Sequence, residues 1–211
     1  PEPGVVRALL FLYREVLHKP LPYLSQIVRA KRTQRLPVVL TPDEVRLVLR
    51  AMEGTPRLVA TLLYGTGMRL MEGLRLRVHD LDFSLNELLV RDTKGRKDRR
   101  TMLPNALKDP LRNQLEQVEG LHRADLADGF GLVELPGALA KKLKGADEQW
   151  GWQYVFPASV RSIDPRSGQE RRHHMSERTV QRAVTRAARH VGLNKRATCH
   201  TLRHTFATHL L

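Results

Sequence analysis

Residues 65–76 read GTGMRLMEGLRL, and this stretch carries the first strong structural signal of the chain. The triplet 65–67 predicts a tight turn, after which a helix opens near Met68 or Arg69. Glu72 follows Arg69 by three residues, so both side chains lie on one helix face and can pair. A guanidinium group held in this way binds phosphate oxygens well. Spacing alone favours an ordinary surface ion pair.

The apolar periodicity of the rest of the chain predicts a mainly α fold with a small antiparallel β-sheet, an α+β class. Predicted helices lie at residues 4–18, from Thr41 onward, at 56–64, at 106–123, near 136–144, at 177–191 and from His200 onward. Residues 87–91 and 100–103 predict instead a β-hairpin with Gly95 in its turn. Residues 154–157 predict a short buried extended segment, and residues 158–175 predict a basic loop.

Two of these helices carry signals at their ends. Thr41 can cap the first, Pro42 suits its first helical position, and Glu44 completes a capping box. Ser176 is the predicted cap of the helix at 177–191, and Gly192 predicts its end.

The charge balance indicates the class of partner. The 211 residues include 36 Lys and Arg against 22 Asp and Glu, which gives a net charge of +14. A folded domain this basic usually binds a polyanion, and nucleic acid is the expected partner. The single cysteine, Cys199, excludes an internal disulfide framework and fits a reducing compartment. No apolar stretch approaches the roughly 18 residues that span a bilayer, so no membrane partner is expected.

Two clusters of basic residues predict where a nucleic acid is bound. In the hairpin segment Lys94–Arg100, five of seven residues are cationic, and a basic turn can follow phosphates or enter a groove. In the helix at 177–191, arginines share one face: Arg178, Arg182, Arg186 and Arg189. Either cluster alone also fits a solvated charged surface, which is the usual role of a run of charges.

Residues 199–204, CHTLRH, place a histidine and an arginine three apart on one helix face. His200 beside Arg203 suits phosphoryl chemistry, because the arginine neutralises charge and the histidine moves protons. His200 and His204 could bind zinc as an i, i+4 pair, but no HExxH pattern or nearby carboxylate supports a metal site. Cys199 as a nucleophile with His200 as its base is disfavoured, because adjacent helical side chains point apart. His204 also fits a buried core histidine.

Three motifs occur in the order that is typical of the tyrosine recombinases of the phage integrase family. They are GTGMRLMEGLRL, the hairpin DTKGRKDRR at 92–100 and HTLRHTFATHLL at 200–211. Two further stretches resemble the integron integrases in particular. These are RLPVVLTPDEV at 35–45 and an added segment that runs through WGWQYVFPA at 150–158 to RRHH at 171–174.

The resemblance implies a division into two domains. Residues 1–36 would be the tail of an N-terminal core-binding helical domain plus a basic linker. Residues 37–211 would form a catalytic domain that is incomplete at its C-terminus. The added segment of the integron type would lie at about 125–175 within it.

The resemblance also implies catalytic roles. Arg69 and Arg203 match the two arginines that clamp the scissile phosphate and stabilise its pentacoordinate transition state. His200 matches the histidine that assists proton transfer, and Glu72 would orient Arg69. The nucleophile of the family is a tyrosine that forms a 3′-phosphotyrosyl bond, so neither a cofactor nor a metal is implied.

Further roles fall on the hairpin and on the basic helix face. Lys94 matches the hairpin lysine that protonates the leaving 5′ oxygen, and Lys97 is the competing candidate. The expected DNA-binding side chains are Arg96, Lys97, Arg99, Arg100, Arg178, Arg182 and Arg186.

Integron integrases act on double-stranded sites and on a folded single-stranded DNA hairpin with protruding bases. The resemblance implies that this chain binds the same two kinds of DNA. Protruding bases stack on aromatic, His or Pro side chains. The candidates are Trp152, Pro165, His173 and His174, with Trp150 as a further one. Alternatively, Trp152 and Phe156 belong to the core and the RRHH loop is merely solvated.

The sequence departs from the family pattern at the nucleophile. The family has another His or Trp and then the catalytic tyrosine after the HxxR helix, and Tyr13, Tyr23, Tyr64 and Tyr154 occupy neither position. The chain is therefore expected to be a fragment that binds DNA without cleaving it. The complete protein would integrate and excise gene cassettes in the bacterial cytoplasm as a homotetramer on DNA. The alternatives are a type IB topoisomerase, which uses a similar residue set, and a non-enzymatic basic DNA-binding module.

Overall fold

The computed structural model of the chain describes residues 8–19, 36–91, 98–135 and 142–210. Its internal contacts divide the chain into two units, Pro1–Leu36 and Pro37–Leu211.

The first unit is described over residues 8–19 and at Leu36. Residues 8–11 are α-helical, and Leu12–Val16 continue as a π-helix. The predicted helix at 4–18 is therefore confirmed over part of its length and ends at Val16.

The second unit is mainly α with a small antiparallel sheet, as the sequence predicts. Its described α-helices are α1 (Pro42–Arg50), α2 (Gly54–Thr66), α3 (Leu70–Leu74), α4 (Asn105–Ala127), α5 (Glu177–His190) and α6 (Cys199–His209). Single turns of 3-10 helix lie at Val78–Asp80, Ala146–Glu148 and Trp150–Trp152. The strands are β1 (Leu81–Asp82), β2 (Glu87–Val90), β3 (Arg99–Met102), β4 (Ser162–Ile163) and β5 (Glu170–Arg171). None of the helices in these described residues is long and apolar enough to cross a membrane.

Strands β1, β2 and β3 form one antiparallel sheet in that order, and β4 pairs with β5. The β2–β3 register runs from Glu87 opposite Met102 to Val90 opposite Arg99. The predicted hairpin is confirmed, although β3 begins and ends one residue earlier than expected. The connecting residues 92–97 lie outside the described ranges.

The end of α2 corrects one prediction. Gly65 and Thr66 are helical, so the predicted tight turn at 65–67 is wrong, and the chain leaves the helix only at Gly67 with φ +64°. The Gly67 amide donates to the Leu63 carbonyl at 3.0 Å, which closes the last turn. A Cβ at Gly67 would come within 2.3 Å of the Phe206 ring on α6. This glycine therefore lets α2 and α6 touch where two of the sequence motifs meet.

The predicted helix caps are confirmed in part. The Thr41 hydroxyl accepts from the Glu44 amide at 3.2 Å, and the Glu44 carboxylate accepts from the Thr41 amide at 2.7 Å. Pro42 is the first residue of α1. Ser176 precedes α5, but its side chain makes no capping hydrogen bond, and Gly192 follows the helix with φ +66°.

Two other regions differ from the prediction. Helix α4 continues to Ala127, beyond the predicted end at residue 123, and Asp125 near its end pairs with Arg161 and Arg172. Residues 158–175 contain the β4–β5 pair rather than only a loop. Such two-residue strands are too short to leave an alternating pattern. The predicted helix near 136–144 lies mostly outside the described residues.

The main core surrounds α2, which packs against α4, α5 and α6. Val59, Leu62 and Leu63 on α2 are fully buried, as are Val180 and Val184 on α5. Burial of each such side chain contributes roughly 1.5–3 kcal/mol. A second, smaller core underlies the added segment and consists of Val133, Leu135, Ala146, Trp152 and Tyr154.

Candidate active site

A pocket of about 370 Å³ opens between the segment before α3, the first turns of α5 and the start of α6. It contains three of the predicted site residues, Arg69, His200 and Arg203. The other lining residues are Met68, Leu70, Glu177, Gln181, Thr185, Arg196, Thr198 and Cys199. The fold thus brings side chains of the first and last motifs together.

Local backbone geometry places Glu72 next to Arg69. Arg69 is extended, with φ −73° and ψ 152°, and directly precedes α3. Glu72 lies in the first turn of that helix, and its Oε2 accepts from the Arg69 amide at 2.9 Å. The same carboxylate binds the side chain of Arg69, with Oε1 2.6 Å from Nη1. The predicted pairing of the two residues is confirmed as a contact.

Two more arginines approach Glu72 from other segments. Arg99, the first residue of β3, donates from Nη2 to Glu72 Oε2 at 3.0 Å. Arg203 on α6 has its Nη1 atom 3.9 Å from the same oxygen. We call Arg69, Glu72, Arg99 and Arg203 the Glu72 cluster. The Glu72 side chain is only 7% exposed, so one buried carboxylate joins three segments of the chain.

The charge state of the Glu72 cluster follows from these contacts. Burial alone would raise the pKa of Glu72, but hydrogen bonds from Arg69 and Arg99 outweigh it, so the pKa lies below its ordinary value. The carboxylate is therefore ionised at neutral pH. Three arginines against one carboxylate leave the cluster with two net positive charges.

Arg203 remains open to the pocket. Its Nη1 atom donates to the carbonyl oxygen of Gly67, which ties α6 to the end of α2. Burial and then the positive charge of Arg69 lower the pKa of Arg203. This crowding of like charge means that the pocket favours an anion.

His200 lines the same pocket and is neutral at pH 7. Burial, followed by the nearby charges of His204 and Arg203, lowers its pKa from the ordinary 6.5. The rings of His200 and His204 meet edge to face, with centroids 4.3 Å apart. Within the described residues, no group of three or more His, Cys, Asp and Glu side chains could hold a metal ion.

Cys199 is 7% exposed, and burial raises the pKa of its thiol to about 11. The side chain is therefore a protonated thiol at neutral pH and a poor nucleophile.

The expected hairpin contacts divide into two groups. Lys94, Arg96 and Lys97 lie outside the described residues. Arg99 binds Glu72 with a side chain that is 36% exposed, and Arg100 pairs with Glu87 at 2.9 Å while its side chain stays 70% exposed.

The arginine face of α5 lies next to the pocket. Arg178, Arg182 and Arg186 are exposed, and none of them makes a hydrogen bond or ion pair with any side chain that the structure describes. Glu177, Gln181 and Thr185, at the positions directly before them, line the pocket. The repeat of four residues places the two rows side by side on one helix.

Sequence reasoning missed several of these side chains. Gln181 and Thr185 have the same four-residue spacing as the arginine row, which could have placed them. Arg196 lies in the turn between α5 and α6 and lines the pocket with an exposed side chain. No local pattern connects Arg99 with Glu72, because strand β3 meets α3 only in the folded chain.

A second pocket, of about 570 Å³, lies on the added segment. Two of the expected base-contacting residues, Pro165 and His173, line it. The other lining residues are Arg75, Arg77, Glu134, Leu135, Tyr154, Ser162, Ile163, Asp164, Arg166, Arg171 and Arg172. His174 is half-buried and turns its Nδ1 atom toward the Met175 carbonyl at 2.8 Å.

Trp152 corrects the expectation of a stacking role. Its side chain belongs to the smaller core and is 9% exposed. The ring meets His79 edge to face, and the guanidinium group of Arg91 lies 5.4 Å from its centroid. Because the side chain is buried in this core, the structure supports the alternative in which Trp152 is a core residue. Trp150 stacks on His122 at 6.1 Å.

The fold and the first pocket define a helical domain with an electropositive, anion-accepting site. The model of the Phage integrase family matches residues 38–211. The chain belongs to this family, the tyrosine recombinases.

Similar proteins agree with this assignment. A protein of Escherichia coli described as an integrase/recombinase is 52% identical over 204 residues, which cover 97% of this chain and 60% of that protein. Tyrosine recombinase XerA of Pyrococcus furiosus is 30% identical over 184 residues, covering 86% of this chain and 50% of XerA. The chain thus spans 60% or less of the length of these curated relatives.

One solved structure shows the likeness of the fold. The XerH site-specific recombinase, in a pre-cleavage complex with its difH substrate, superimposes with a TM-score of 0.58 at 21% identity. The match covers 97% of this chain and 52% of XerH.

Proposed function

We propose that this chain is the catalytic region of an integron-type tyrosine recombinase, which integrates and excises gene cassettes by site-specific DNA recombination. The observation that carries the proposal is the convergence of Arg69, His200 and Arg203 on one pocket, with Glu72 behind it. The added segment at about 125–175, which resembles that of the integron integrases, supports the branch.

In this proposal Arg69 and Arg203 bind the non-bridging oxygens of the scissile phosphate. Glu72 holds Arg69 through two hydrogen bonds, one from the guanidinium Nη1 atom and one from the backbone amide. The two net positive charges of the Glu72 cluster match the negative charge that develops on a pentacoordinate phosphorus. Neutral His200 is able to accept a proton at neutral pH and to donate a hydrogen bond to the phosphate.

The reaction needs one nucleophile, one base and one acid. A tyrosine hydroxyl of the complete protein attacks phosphorus and gives its proton to His200, while the bond to the 5′ oxygen breaks. The leaving oxygen takes a proton from Lys94, with Lys97 as the competing donor. Attack by a 5′ hydroxyl of another strand on the 3′-phosphotyrosyl bond then rejoins the DNA. Phosphodiester energy is conserved, so neither a metal nor a cofactor is required.

Two surfaces would hold the DNA. The row formed by Arg178, Arg182 and Arg186 would bind phosphates of a double-stranded site beside the pocket. The second pocket would receive a protruding base of a folded single-stranded hairpin, stacked against Pro165 and His173. The Arg77 guanidinium, 3.6 Å from the Tyr154 ring centroid, gives that pocket a rigid floor.

We further propose that these 211 residues bind DNA without cleaving it. Tyr64 donates to or accepts from His209 at 2.9 Å, and Tyr154 is 4% exposed, so neither lines the first pocket. Tyr13 belongs to the first unit, and Tyr23 lies outside the described residues. The complete protein would assemble as a homotetramer on two DNA sites.

The test uses two labelled hairpin oligonucleotides that differ only in two protruding bases. We expect tighter binding of the hairpin with protruding bases, a steep loss of affinity with salt, and no covalent adduct on a denaturing gel. Equal binding of both hairpins in the wild type would contradict the integron branch. His173→Ala should reduce the preference, and an unchanged preference would exclude the second pocket as the base site.

A covalent adduct would show that the chain supplies its own nucleophile. The rival enzyme, a type IB topoisomerase, would also relax a supercoiled plasmid without joining two sites. Unchanged DNA binding in Arg69→Ala and Arg203→Ala, with no adduct in any variant, would instead favour a non-enzymatic DNA-binding module.

A further inference from the structure

The proposed function assigns no role to Arg99, the member of the Glu72 cluster that comes from the hairpin. Arg99 is the first residue of β3 and lies opposite Val90 in the sheet. Its guanidinium binds the same carboxylate oxygen that Arg203 approaches, yet Arg99 is not among the residues that line the pocket. Its contact is thus with the carboxylate and not with the space where a phosphate would lie.

The two oxygens of Glu72 are not equally occupied. Oε1 binds the Arg69 guanidinium at 2.6 Å, whereas Oε2 binds the Arg69 amide at 2.9 Å and Arg99 at 3.0 Å. Without Arg99, Oε2 would keep only the amide as a close donor. Arg203, 3.9 Å away, is the cation nearest to taking the vacated position.

If Arg203 moved toward Glu72, its guanidinium group would no longer be available to an anion in the pocket. Charge-assisted hydrogen bonds between a guanidinium group and a carboxylate are strong, and the Glu72 side chain is 7% exposed, so such a pair would persist. The Arg203 guanidinium would then be neutralised by Glu72 and turned away from an incoming anion.

We propose that Arg99 is a positioning residue that occupies Glu72 Oε2 and thereby keeps Arg203 available to the phosphate. The inference rests on the proposed function, because a free Arg203 matters only if the pocket binds a phosphate. The same contact fastens the base of the β2–β3 hairpin to the carboxylate that orients Arg69.

Arg100, an expected DNA-binding residue that does not line the pocket, provides a matched control for the binding of a small anion in the pocket, which does not depend on the DNA surface. It is the next residue on β3 and carries the same charge, but its side chain is 70% exposed and pairs with Glu87 at 2.9 Å. Arg99→Ala and Arg100→Ala therefore remove equal charge from adjacent positions, and only the first empties a site on Glu72.

The experiment measures the affinity of the chain for inorganic orthovanadate, a phosphate analogue, by ⁵¹V NMR. Arg99→Ala should weaken binding about tenfold, and Arg100→Ala should change it less than about twofold. The decisive step is to repeat Arg99→Ala in a Glu72→Gln background. The neutral amide of Glu72→Gln has no charge to attract Arg203, so the loss caused by Arg99→Ala should disappear there.

Two results would overturn the proposal. An equal loss in both backgrounds would mean that Arg99 acts on the anion directly, and an effect no larger than that of Arg100→Ala would mean that it acts only through net charge. A thermal melt checks that each variant is folded, and Arg99→Gln replaces Arg99→Ala if the latter does not fold. Arg203→Ala separates the two proposals, because undiminished vanadate binding in that variant contradicts the phosphate site itself, whatever Arg99 does.

Discussion

Two carboxylates in this molecule each gather arginines, yet they leave those arginines in different states. Asp125 on α4 binds Arg172 at 2.8 Å and Arg161 at 3.0 Å, and we call these three residues the Asp125 cluster. Arg172 also donates from Nη1 to the carbonyls of Ala158 and Ser159, each at 2.9 Å. Its side chain is 13% exposed. Among the described residues, the Arg69 side chain in the Glu72 cluster donates through Nη1 alone, and it is 44% exposed.

The difference shows how an arginine is assigned to the fold or to a site. A guanidinium group has five N–H donors in a fixed plane. In Arg172, four of the five donors have acceptors in the described residues, so at most one is left for a ligand. When a carboxylate holds one edge only, as in Arg69, the group is oriented but still has donors for an anion.

The largest expected effect is on stability, from Asp125→Ala. Removing one partner of a buried ion pair leaves an uncompensated charge, so the free energy of unfolding should fall by about 3 kcal/mol. Asp109→Ala on the same helix is the matched control, since Asp109 pairs with Arg112 in an exposed ion pair and should cost about 0.5 kcal/mol or less. Urea titrations of the two variants and the wild type measure both values. Equal losses of stability in Asp125→Ala and Asp109→Ala would mean that the Asp125 cluster contributes no more to the fold than an exposed ion pair.

The same cluster predicts a pH dependence. Hydrogen bonds from Arg172, and then from Arg161, lower the pKa of Asp125 below the ordinary 3.8. The carboxylate therefore stabilises the fold above the unfolded pKa, and this contribution is lost as the pH falls through the folded pKa. Unfolding free energies of the wild type and Asp125→Asn should converge toward acid pH. A constant gap between them down to acid pH would contradict the assignment.

A smaller effect, on ligand binding, is expected from Arg69→Ala. Affinity for orthovanadate should fall about tenfold, because the pocket loses an oriented guanidinium group. Stability should change by about 1 kcal/mol or less, since the ion pair is partly exposed and Glu72 retains Arg99. ⁵¹V NMR and a urea titration give the two numbers. A large loss of stability with unchanged vanadate binding would place Arg69 with the structural arginines instead.

The arginine row of α5, which makes no ion pair with the side chains that the structure describes, gives a further prediction. Arg182→Gln should lower the slope of log affinity against log salt by about 0.9 for duplex DNA, because one phosphate contact and its released counterion are lost. Arg123→Gln is the control, since Arg123 already pairs with Glu119 at 2.6 Å and its side chain is solvent-exposed. Fluorescence anisotropy over a range of about 50 to 200 mM salt measures both slopes. An unchanged slope for Arg182→Gln would mean that this row does not face DNA.

Much of the fold could be predicted from local patterns, whereas the two clusters could not. The capping box at Thr41 and the apolar stripe that buries Val180 and Val184 are determined within a few residues of sequence. The pairing of Arg69 with Glu72 was also local. The ion pairs of Arg99 with Glu72 and of Arg172 with Asp125 join residues that are far apart in the sequence. No rule of local spacing predicts such pairs.

The same reason explains why the sequence alone left two interpretations of Trp152 open, a stacking surface and a core position. A tryptophan in a polar, basic segment suggests a stacking surface, but the segment folds over its own small core with Val133 and Leu135. Burial of a large aromatic ring in a separate cluster follows from tertiary packing and not from its neighbours in sequence.

The smallest expected effect tests the electric field of the Glu72 cluster. Two histidines have pKa values below the ordinary 6.5. Burial lowers the pKa of His200 most, followed by the charges of His204, Arg203 and Arg69. Burial also lowers the pKa of His174 most, and the charges of His173, Arg75 and Arg77 add to the effect. Arg203→Gln should therefore raise the pKa of His200 and leave that of His174 unchanged. The Hε1 resonances of both rings, followed by NMR against pH, report the two midpoints separately.

Because the folded pKa of His200 lies below the unfolded 6.5, the unfolded chain takes up the proton first and stability falls as the pH drops below that value. Arg203→Gln should weaken this loss of stability at acid pH. An unchanged titration midpoint of His200 in that variant would mean that the charge of Arg203 is screened from the pocket. The proposed chemistry would then lack the positive charge that it needs there.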